Sequence, residues 1–445
     1  MTLTAPTAPI GRNWANDACA VLGAIATGAV IFAVWPVIVH TVMPGATSAW
    51  ALVAHVSGML AGYGVLVMLA LMSRWPVLEL GVGADRLARW HSRGGRAVLA
   101  LVLTHAVTAV LGWSAATDTA LPLALLRVMG MPWLVAATIG TVLLCAVAVT
   151  SIRRARKTLS YERWHAVHLM TYLAIALSFL HQLAGPDLAG ILPMQVLWSL
   201  LYTFTFALVL RYRVLAPLFA ASRHKLRISE VRREVPGVTS IVLKGQHLDE
   251  LEAQPGQFFR WRFLTPDTWL TAHPFSLSAP PTATSLRLTV KDLGDGSARL
   301  QDIEPGTWVI PEGPYGSMTA HRRTRHDVLL IAGGVGITPM RALFETLTLH
   351  TDQDLLLLYR ADTRDLIVFR DELDQLAEQR GARVIYLLGG SPDLLHPESL
   401  RRLVPDVAER DVYLCGPPGF SAAVRRSLTD LDLPEGQLHE ERFAF

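Results

Sequence analysis

Charge is missing from long stretches in the first half of this 445-residue chain. No Asp, Glu, Lys or Arg occurs between Asp17 and Arg74, and Pro44-Gly45 breaks that stretch near its middle. Further uncharged intervals run from Arg96 to Asp118, Arg127 to Arg153, Arg163 to Asp187 and Asp187 to Arg211. A water-facing helix carries a polar stripe along its length, so these gaps exclude a soluble fold for this half. A bilayer-crossing helix needs about 20 apolar residues, and the pattern predicts six of them. Cysteine is also scarce: Cys19, Cys145 and Cys415 lie far apart, which excludes a disulfide framework and a Cys-rich metal site. No cleavable leader is legible, and the first apolar stretch is long enough to be an uncleaved spanning helix.

From about Ser222 onward the composition reverses. Charges are dense, Pro and Gly punctuate short strands, and no uncharged interval recurs. The expectation is a multidomain membrane protein: an all-α six-helix bundle over residues 1–217, an antiparallel β-barrel over 222–322 and an α/β nucleotide-binding domain over 323–445. Orientation follows from the basic loops. Arg74, Arg86, Arg89, Arg93 and Arg96 lie between spans two and three. Arg153, Arg154, Arg156, Lys157 and Arg163 lie between spans four and five, and Arg211 and Arg213 follow span six. The opposite loops hold only Asp118, Arg127 and Asp187. Both termini and the soluble half are therefore expected in the cytoplasm of a cell bounded by this plasma (inner) membrane. The formal net charge of +3 is small, and no nucleic-acid partner is expected.

Two of the spans carry paired histidines. "RWHSRGGRAVLALVLTH" places His91 and His105 fourteen residues apart, and "WHAVHLMTYLAIALSFLHQL" places His168 and His181 thirteen apart. Spans three and five cross in the same direction, so His91 and His168 meet near the inner face and His105 and His181 near the outer. At about 1.5 Å per residue the two levels are roughly 20 Å apart. Facing imidazoles are a standard way to hold haem iron at both axial positions. Zinc fits worse, since it wants four ligands in one place. A single intramembrane histidine is commonly a helix–helix hydrogen-bonding residue, but four at matched depth point to function. Thirteen residues do not return to the same helix face, so span five needs a bulge or an adjusted ring orientation. His165 precedes His168 by one turn and is an alternative to it. His40 and His55, toward the outer ends of spans one and two, read as polar packing or as the lining of an acceptor site.

In the second half "HPFSLSAPP", from His273 to Pro281, lies between the extended segments "GQFFRWRF" and "SLRLTVKDLGDGSARL". The alternation suggests a small antiparallel barrel. Ser276 at a strand end can hydrogen-bond the reactive edge of a flavin, and the Gly294-Asp295-Gly296-Ser297 turn can offer N–H groups to a pyrophosphate. "DVLLIAGGVGITPMRALFETL" has the strand, glycine loop and helix order of a nucleotide-binding unit. "DLLLLYRADTRD" ends in Arg360 and Arg364, which can clamp a 2′-phosphate and favour NADPH over NADH, or can simply be solvated surface arginines. "DVYLCGPPGF" is a third buried strand, and the chain ends "HEERFAF".

Together these motifs resemble the ferredoxin–NADP reductase superfamily over about Ser222 to Phe445. With the spans and histidines ahead of them, the whole chain resembles a bacterial member of the ferric reductase and NADPH oxidase superfamily. The resemblance implies two b-type haems on spans three and five, with His91, His105, His168 and His181 as iron ligands. It implies that His273, Pro274, Phe275 and Ser276 frame FAD, with Ser276 near the flavin N5, and that Arg287 to Lys291 and Gly296-Ser297 line the ribityl and pyrophosphate. Gly333, Gly334, Gly336 and Thr338 would hold the NADPH pyrophosphate, and Cys415-Gly416-Pro417 would border the nicotinamide. The Glu-x-aromatic ending falls on Glu441-Arg442-Phe443, so Phe443 would cover the flavin ring; the extra Ala444 and Phe445 leave Phe445 as the other candidate.

The implied activity is transfer of electrons from cytoplasmic NADPH (NADH being possible) through FAD and two haems to an outer acceptor. Dioxygen giving superoxide, a ferric chelate and a quinone all remain open as that acceptor. The rival within the same chemistry is a membrane-anchored flavin reductase that serves a cytoplasmic partner without haem. A transporter or sensor reading nucleotide redox state is the rival from another class. Without a calcium-binding loop or a docking tail, no obligatory regulatory subunit is expected.

Overall fold

A computed structural model describes residues 14–42, 48–152, 159, 161–269, 271–348, 353–390 and 395–442. The chain divides into two compact units, Met1–Leu215 and Ala216–Phe445.

The first unit is helical. Its elements are α1 (Trp14–Val42), α2 (Ala49–Met72), the short α3 (Pro76–Val82), α4 (Ala84–Thr117), the short α5 (Leu121–Met129), α6 (Leu134–Ser151), α7 (Tyr161–Ala184) and α8 (Leu192–Val209), followed by a π-helical segment, Leu210–Leu215. Among the described residues, six helical stretches are long and apolar enough to cross a membrane, as the uncharged intervals predict. Their outward faces are apolar: Val30 is 63% and Leu200 60% exposed, a cost in water that a lipid surround removes. The inward faces carry a core of Phe32, Tyr63, Ile175, Trp198 and Tyr202. The polar atoms of Tyr63, Trp198 and Tyr202 in this core are paired, Tyr63 OH donating to the Ile25 carbonyl at 3.0 Å. Gln182 Oε1 accepts from both Trp198 Nε1 and Tyr202 OH at 2.9 Å.

Small residues let α2 and α4 approach closely. A Cβ at Gly94 would lie 2.5 Å from Met68 Cε, and one at Gly112 would lie 3.0 Å from the Ala51 nitrogen. Helix α7 is unbroken from Tyr161 to Ala184. The expected bulge is therefore not the means by which its two histidines reach their partners; ring orientation is.

The second unit opens with α9 (Ala216–His224) and holds two three-stranded antiparallel sheets and one parallel sheet. Strands β1 (Arg227–Val235), β2 (Val238–Lys244) and β5 (Ser285–Lys291) form the first, in the order β1-β2-β5. Strands β3 (Phe258–Phe263), β4 (His273–Ser276) and β6 (Val309–Tyr315) form the second, in the order β4-β3-β6. Period-two alternation drives the pairing: Phe259, Trp261 and Phe263 are fully buried while the residues between them are partly exposed. Single bridges Leu277↔Leu288 and Arg227↔Trp308 stitch the two sheets together around a shared core.

The parallel sheet contains β7 (Val328–Gly333), β8 (Leu355–Ala361), β9 (Arg383–Leu388), β10 (Asp411–Gly416) and β11 (Leu438–Arg442) in the order β11-β10-β7-β8-β9. Every residue of β7 and β10 is buried, as expected for central strands covered on both faces. The order reverses between β7 and β10. In open parallel sheets such a switch point is where ligands bind, outside the carboxyl ends of the strands.

Candidate functional site

In the membrane unit the four histidines form two facing pairs. His91 and His168 have ring centroids 6.0 Å apart with planes inclined by 66°, and His105 and His181 stand 6.3 Å apart at 40°. Two imidazoles bound at about 2 Å on opposite sides of one metal ion place their ring centres roughly 6 Å apart. Each pair therefore has the spacing to hold a single metal between its rings. The α4 members are oriented by the neighbouring helix: His91 Nδ1 lies 3.2 Å from the Met68 carbonyl and His105 Nδ1 2.8 Å from the Ala54 carbonyl. A Nδ1–H donated to a carbonyl fixes the tautomer and leaves Nε2 with a free lone pair, the form a metal ligand needs.

On α7 the Nδ1 atoms of both His168 and His181 are buried with no hydrogen-bond partner within bonding distance. Trp164 stacks on the His168 ring at 5.1 Å and 27°, and the same Trp164 lies against His165. It is thus His168, rather than His165, whose ring faces His91. One turn beyond His91, a Cβ at Gly95 would meet nothing within 4 Å, so that part of the face opens onto free space.

Arg213, in the π-helical segment, donates from Nε to the Met72 carbonyl at 2.6 Å and lines a cavity of about 390 Å³ with Leu169, Tyr172 and Phe206. The π turn was not legible in the sequence. At the end of α1 and the start of α2, His55 Nδ1 stands 2.7 Å from Asp187 Oδ2, and the rings of His40 and His55 are 4.4 Å apart. Asp187 had been read only as a loop charge. Arg153, Arg154, Arg156 and Lys157, used for orientation, lie outside the described residues.

In the second unit, His273 and Ser276 bound β4, and the His273 and Phe275 rings stack at 6.1 Å and 12°. Gly296 approaches this histidine so closely that a Cβ would lie 2.8 Å from its Cε1. Pro274 pairs with Arg260 across the strands. The Ser276 hydroxyl is buried with no hydrogen-bond partner in the protein. Ser297 Oγ accepts from the Leu293 N–H at 2.8 Å and donates to the Gly294 carbonyl, closing the glycine turn on itself. Lys291 ends β5 at half-buried depth.

Arg287 is gripped by a carboxylate. Its two terminal nitrogens each contact Glu372 at 2.9 Å, one also reaches the Ser278 carbonyl, and its guanidinium lies 4.7 Å above the Phe369 ring. Glu372 also accepts from Arg341 Nε at 2.8 Å. Burial alone would raise the Glu372 carboxyl; the two arginines outweigh it and hold it below its ordinary value. Nothing in the sequence motifs signalled this clamp.

At the switch point, Gly333 and Gly416 both pack on Phe420, whose Cδ1 would lie 2.8 and 2.5 Å from added Cβ atoms. A Cβ at Gly336 would collide with the Cys415 carbonyl at 2.2 Å. Gly336 can therefore lie against β10 only without a side chain. Gly334 has φ +54°, which a glycine adopts freely. After the short α10 (Asp295–Ala298), Thr338 donates to the Val335 carbonyl at 3.0 Å in the first turn of α11 (Ile337–Thr346); α12 (Arg370–Arg380) and α13 (Pro397–Leu403) follow, and Pro417 caps α14 (Pro418–Asp430).

Cys415 is fully buried beside Glu441, its register partner; burial first, and that carboxylate second, push its thiol well above the ordinary value. Arg360 leans on Asp362 at 3.4 Å, and Arg364 is exposed on a short turn. Phe443 and Phe445 lie outside the described residues.

Residues 57–179 match the family model described as "Ferric reductase like transmembrane component", and residues 330–426 match "Oxidoreductase NAD-binding domain". Among curated proteins, the chain is 26% identical over 232 residues to a flavohemoprotein of Bacillus subtilis (strain 168), covering 48% of this chain and 58% of that one. It is 29% identical over 230 residues to the ferredoxin reductase component of 3-ketosteroid-9-alpha-monooxygenase from Mycolicibacterium smegmatis, covering 49% and 65%. It spans less than two thirds of either relative. Among solved structures it is similar to the FAD/NAD binding domain of nitric oxide dioxygenase from Vibrio cholerae, at 25% identity, 49% and 98% coverage and a TM-score of 0.40.

Proposed function

We propose that this chain, a ferric reductase-like transmembrane component fused to a ferredoxin–NADP reductase-type oxidoreductase module, moves electrons from cytoplasmic NADPH to an acceptor on the outer side of the plasma membrane. When bound, FAD would supply the change from two-electron hydride to single electrons, and two b-type haems would supply one-electron redox centres within the bilayer. His91 with His168 and His105 with His181 would hold the haem irons, the first pair on the inner side and the second on the outer. The observation that carries this reading is the pair of 6.0 and 6.3 Å imidazole contacts on two helices, with the α4 members oriented by backbone carbonyls.

The remaining residues bind and orient. Ser276 brings a buried hydroxyl to where a flavin edge would sit, and burial keeps that hydroxyl for one partner. The Gly333–Gly336 loop and Thr338 would receive a pyrophosphate at the start of α11, while Arg360 and Arg364 would meet a 2′-phosphate. Cys415, Gly416, Pro417 and Glu441 would border the nicotinamide, and Phe443 would cover the flavin face. His91, His105, His168 and His181, if all four held haem iron, would leave no place on it for an acceptor such as dioxygen or a ferric chelate, which would then be reduced without binding the metal.

The test is an anaerobic absorbance spectrum of the detergent-purified chain before and after NADPH in the presence of FAD. A low-spin bis-imidazole spectrum that reduces fully supports the path; flavin bleaching with no haem band overturns it. Admitting air or a ferric chelate then identifies the acceptor by which one restores the oxidised spectrum faster.

A further inference from the structure

Three side chains at the outer end of the membrane unit converge without belonging to either imidazole pair. His40 lies in the last turn of α1, His55 in the first third of α2, and Asp187 follows α7. One ligand atom from each falls within 4.8 Å of the other two. Asp187 is only 8% exposed, and its Oδ2 stands 2.7 Å from His55 Nδ1. The hydrogen bond leaves two buried atoms with no partner: His40 Nε2 and Asp187 Oδ1. The cluster is also braced, since Trp35 Nε1 donates to the Asp187 carbonyl at 2.8 Å. An oriented carboxylate and two imidazoles, drawn from three chain segments, are more than a histidine–aspartate pair requires.

We propose that His40, His55 and Asp187 form a mononuclear site for a divalent first-row transition-metal ion of the zinc and cobalt class. Two neutral imidazoles and one carboxylate are the ligands such ions prefer, whereas calcium and magnesium want six or more oxygens. A small inward movement of the side chains brings the donors to bonding distance, and the ion satisfies both orphaned atoms. Three protein ligands leave the remaining position open to water or to an anion arriving from the outer side. The competing occupant is a buried water bridging His40 and Asp187, which predicts no metal retention. The assignment stands apart from the haem reading and survives its failure.

The experiment uses the full chain in detergent, with its affinity tag removed and metals stripped by chelator. Zn²⁺ is added, excess is removed by gel filtration, and bound metal is counted; calorimetry gives the affinity. The expected result is one Zn²⁺ per chain, with affinity lowered at least 100-fold in His55→Ala and in Asp187→Asn. Asn keeps the hydrogen bond to His55, so Asp187→Asn leaves the pair intact if hydrogen bonding is its whole role. Asp187→His restores a third ligand and should recover binding, which a structural role does not predict. Co²⁺ competition should displace the zinc from wild type. Equal zinc content in wild type and the His55→Ala/Asp187→Asn double variant, or none in wild type, overturns the proposal. Matching elution and circular dichroism keep misfolding separate from loss of the site.

Discussion

Gly58 lies directly against the ring of His105: a Cβ on Gly58 would stand 2.6 Å from His105 Nδ1, the atom that reaches the Ala54 carbonyl. Gly58→Ala should therefore tilt the outer imidazole while leaving the inner pair alone. The expected outcome is a haem-to-protein ratio falling from two toward one. Gly23→Ala, which would meet nothing within 4 Å, is the silent control.

On the proposed electron path, removing His181 from its pair should separate the two halves of the reaction. His181→Ala is expected to keep one haem and to lower NADPH-driven reduction of an outer acceptor more than ~100-fold, about 2.7 kcal/mol in the barrier. NADPH oxidation by a soluble dye that takes electrons from the flavin should be unchanged. Loss of both activities together would sink the stacked-centre reading.

The proposed preference for NADPH rests on charge. Arg360→Glu combined with Arg364→Glu is expected to raise the KM for NADPH roughly tenfold, about 1.4 kcal/mol, and to leave the KM for NADH nearly unmoved. Steady-state kinetics with both nucleotides check this. Equal effects on the two would return these arginines to the solvated surface.

Glu372 predicts an acid-sensitive clamp. Its carboxyl is held below its ordinary value by the two arginines, against the pull of burial. The stability it contributes is thus complete above the ordinary carboxylate range and is lost as pH falls through the depressed value. Glu372→Gln should lower stability by about 2 kcal/mol near neutral pH, as expected for charged hydrogen bonds, with the gap to wild type closing in acid. Flavin release on heating, followed by fluorescence across pH, measures it.

Cys415 should be inert. A fully buried thiol whose ionisation is disfavoured by burial and by Glu441 gives little thiolate. Maleimide at neutral pH is expected to leave Cys415 unmodified until the chain is denatured, as read by mass spectrometry of its peptide.

The periodic features of this molecule were legible. Uncharged intervals predicted six spans because lipid tolerates no unpaired charge, and full burial of β7 and β10 follows from continuous apolar runs such as Val328–Ala332. Matched depth brought His91 opposite His168 with only helix rise as a ruler. What escaped depends on side chains meeting from distant segments. The thirteen-residue spacing on α7 raised the prospect of a bulge, yet the helix runs unbroken and the two ring pairs differ in tilt instead. The pairing of Arg287 with Glu372 joins strand β5 to helix α12, residues that no local pattern links. Asp187 could have been noticed as the single acid in the interval between Arg163 and Arg211, two spans deep in uncharged sequence. The π segment at Leu210–Leu215 has no compositional signature.

The order β11-β10-β7-β8-β9 also governs when the nucleotide cleft comes into being during synthesis. Val328 pairs with Leu355 on one side and with Asp411 on the other. The near partner emerges soon after β7, whereas the far one must wait for β9 and α13 to be made. Contacts between sequence-distant strands form slowly, because the intervening loop must first be closed. The glycine loop thus exists early with one wall missing, and Cys415 completes the wall late. A truncation before Asp411 should leave an apolar, half-paired β7 edge, a surface on which newly made chains can stick to one another.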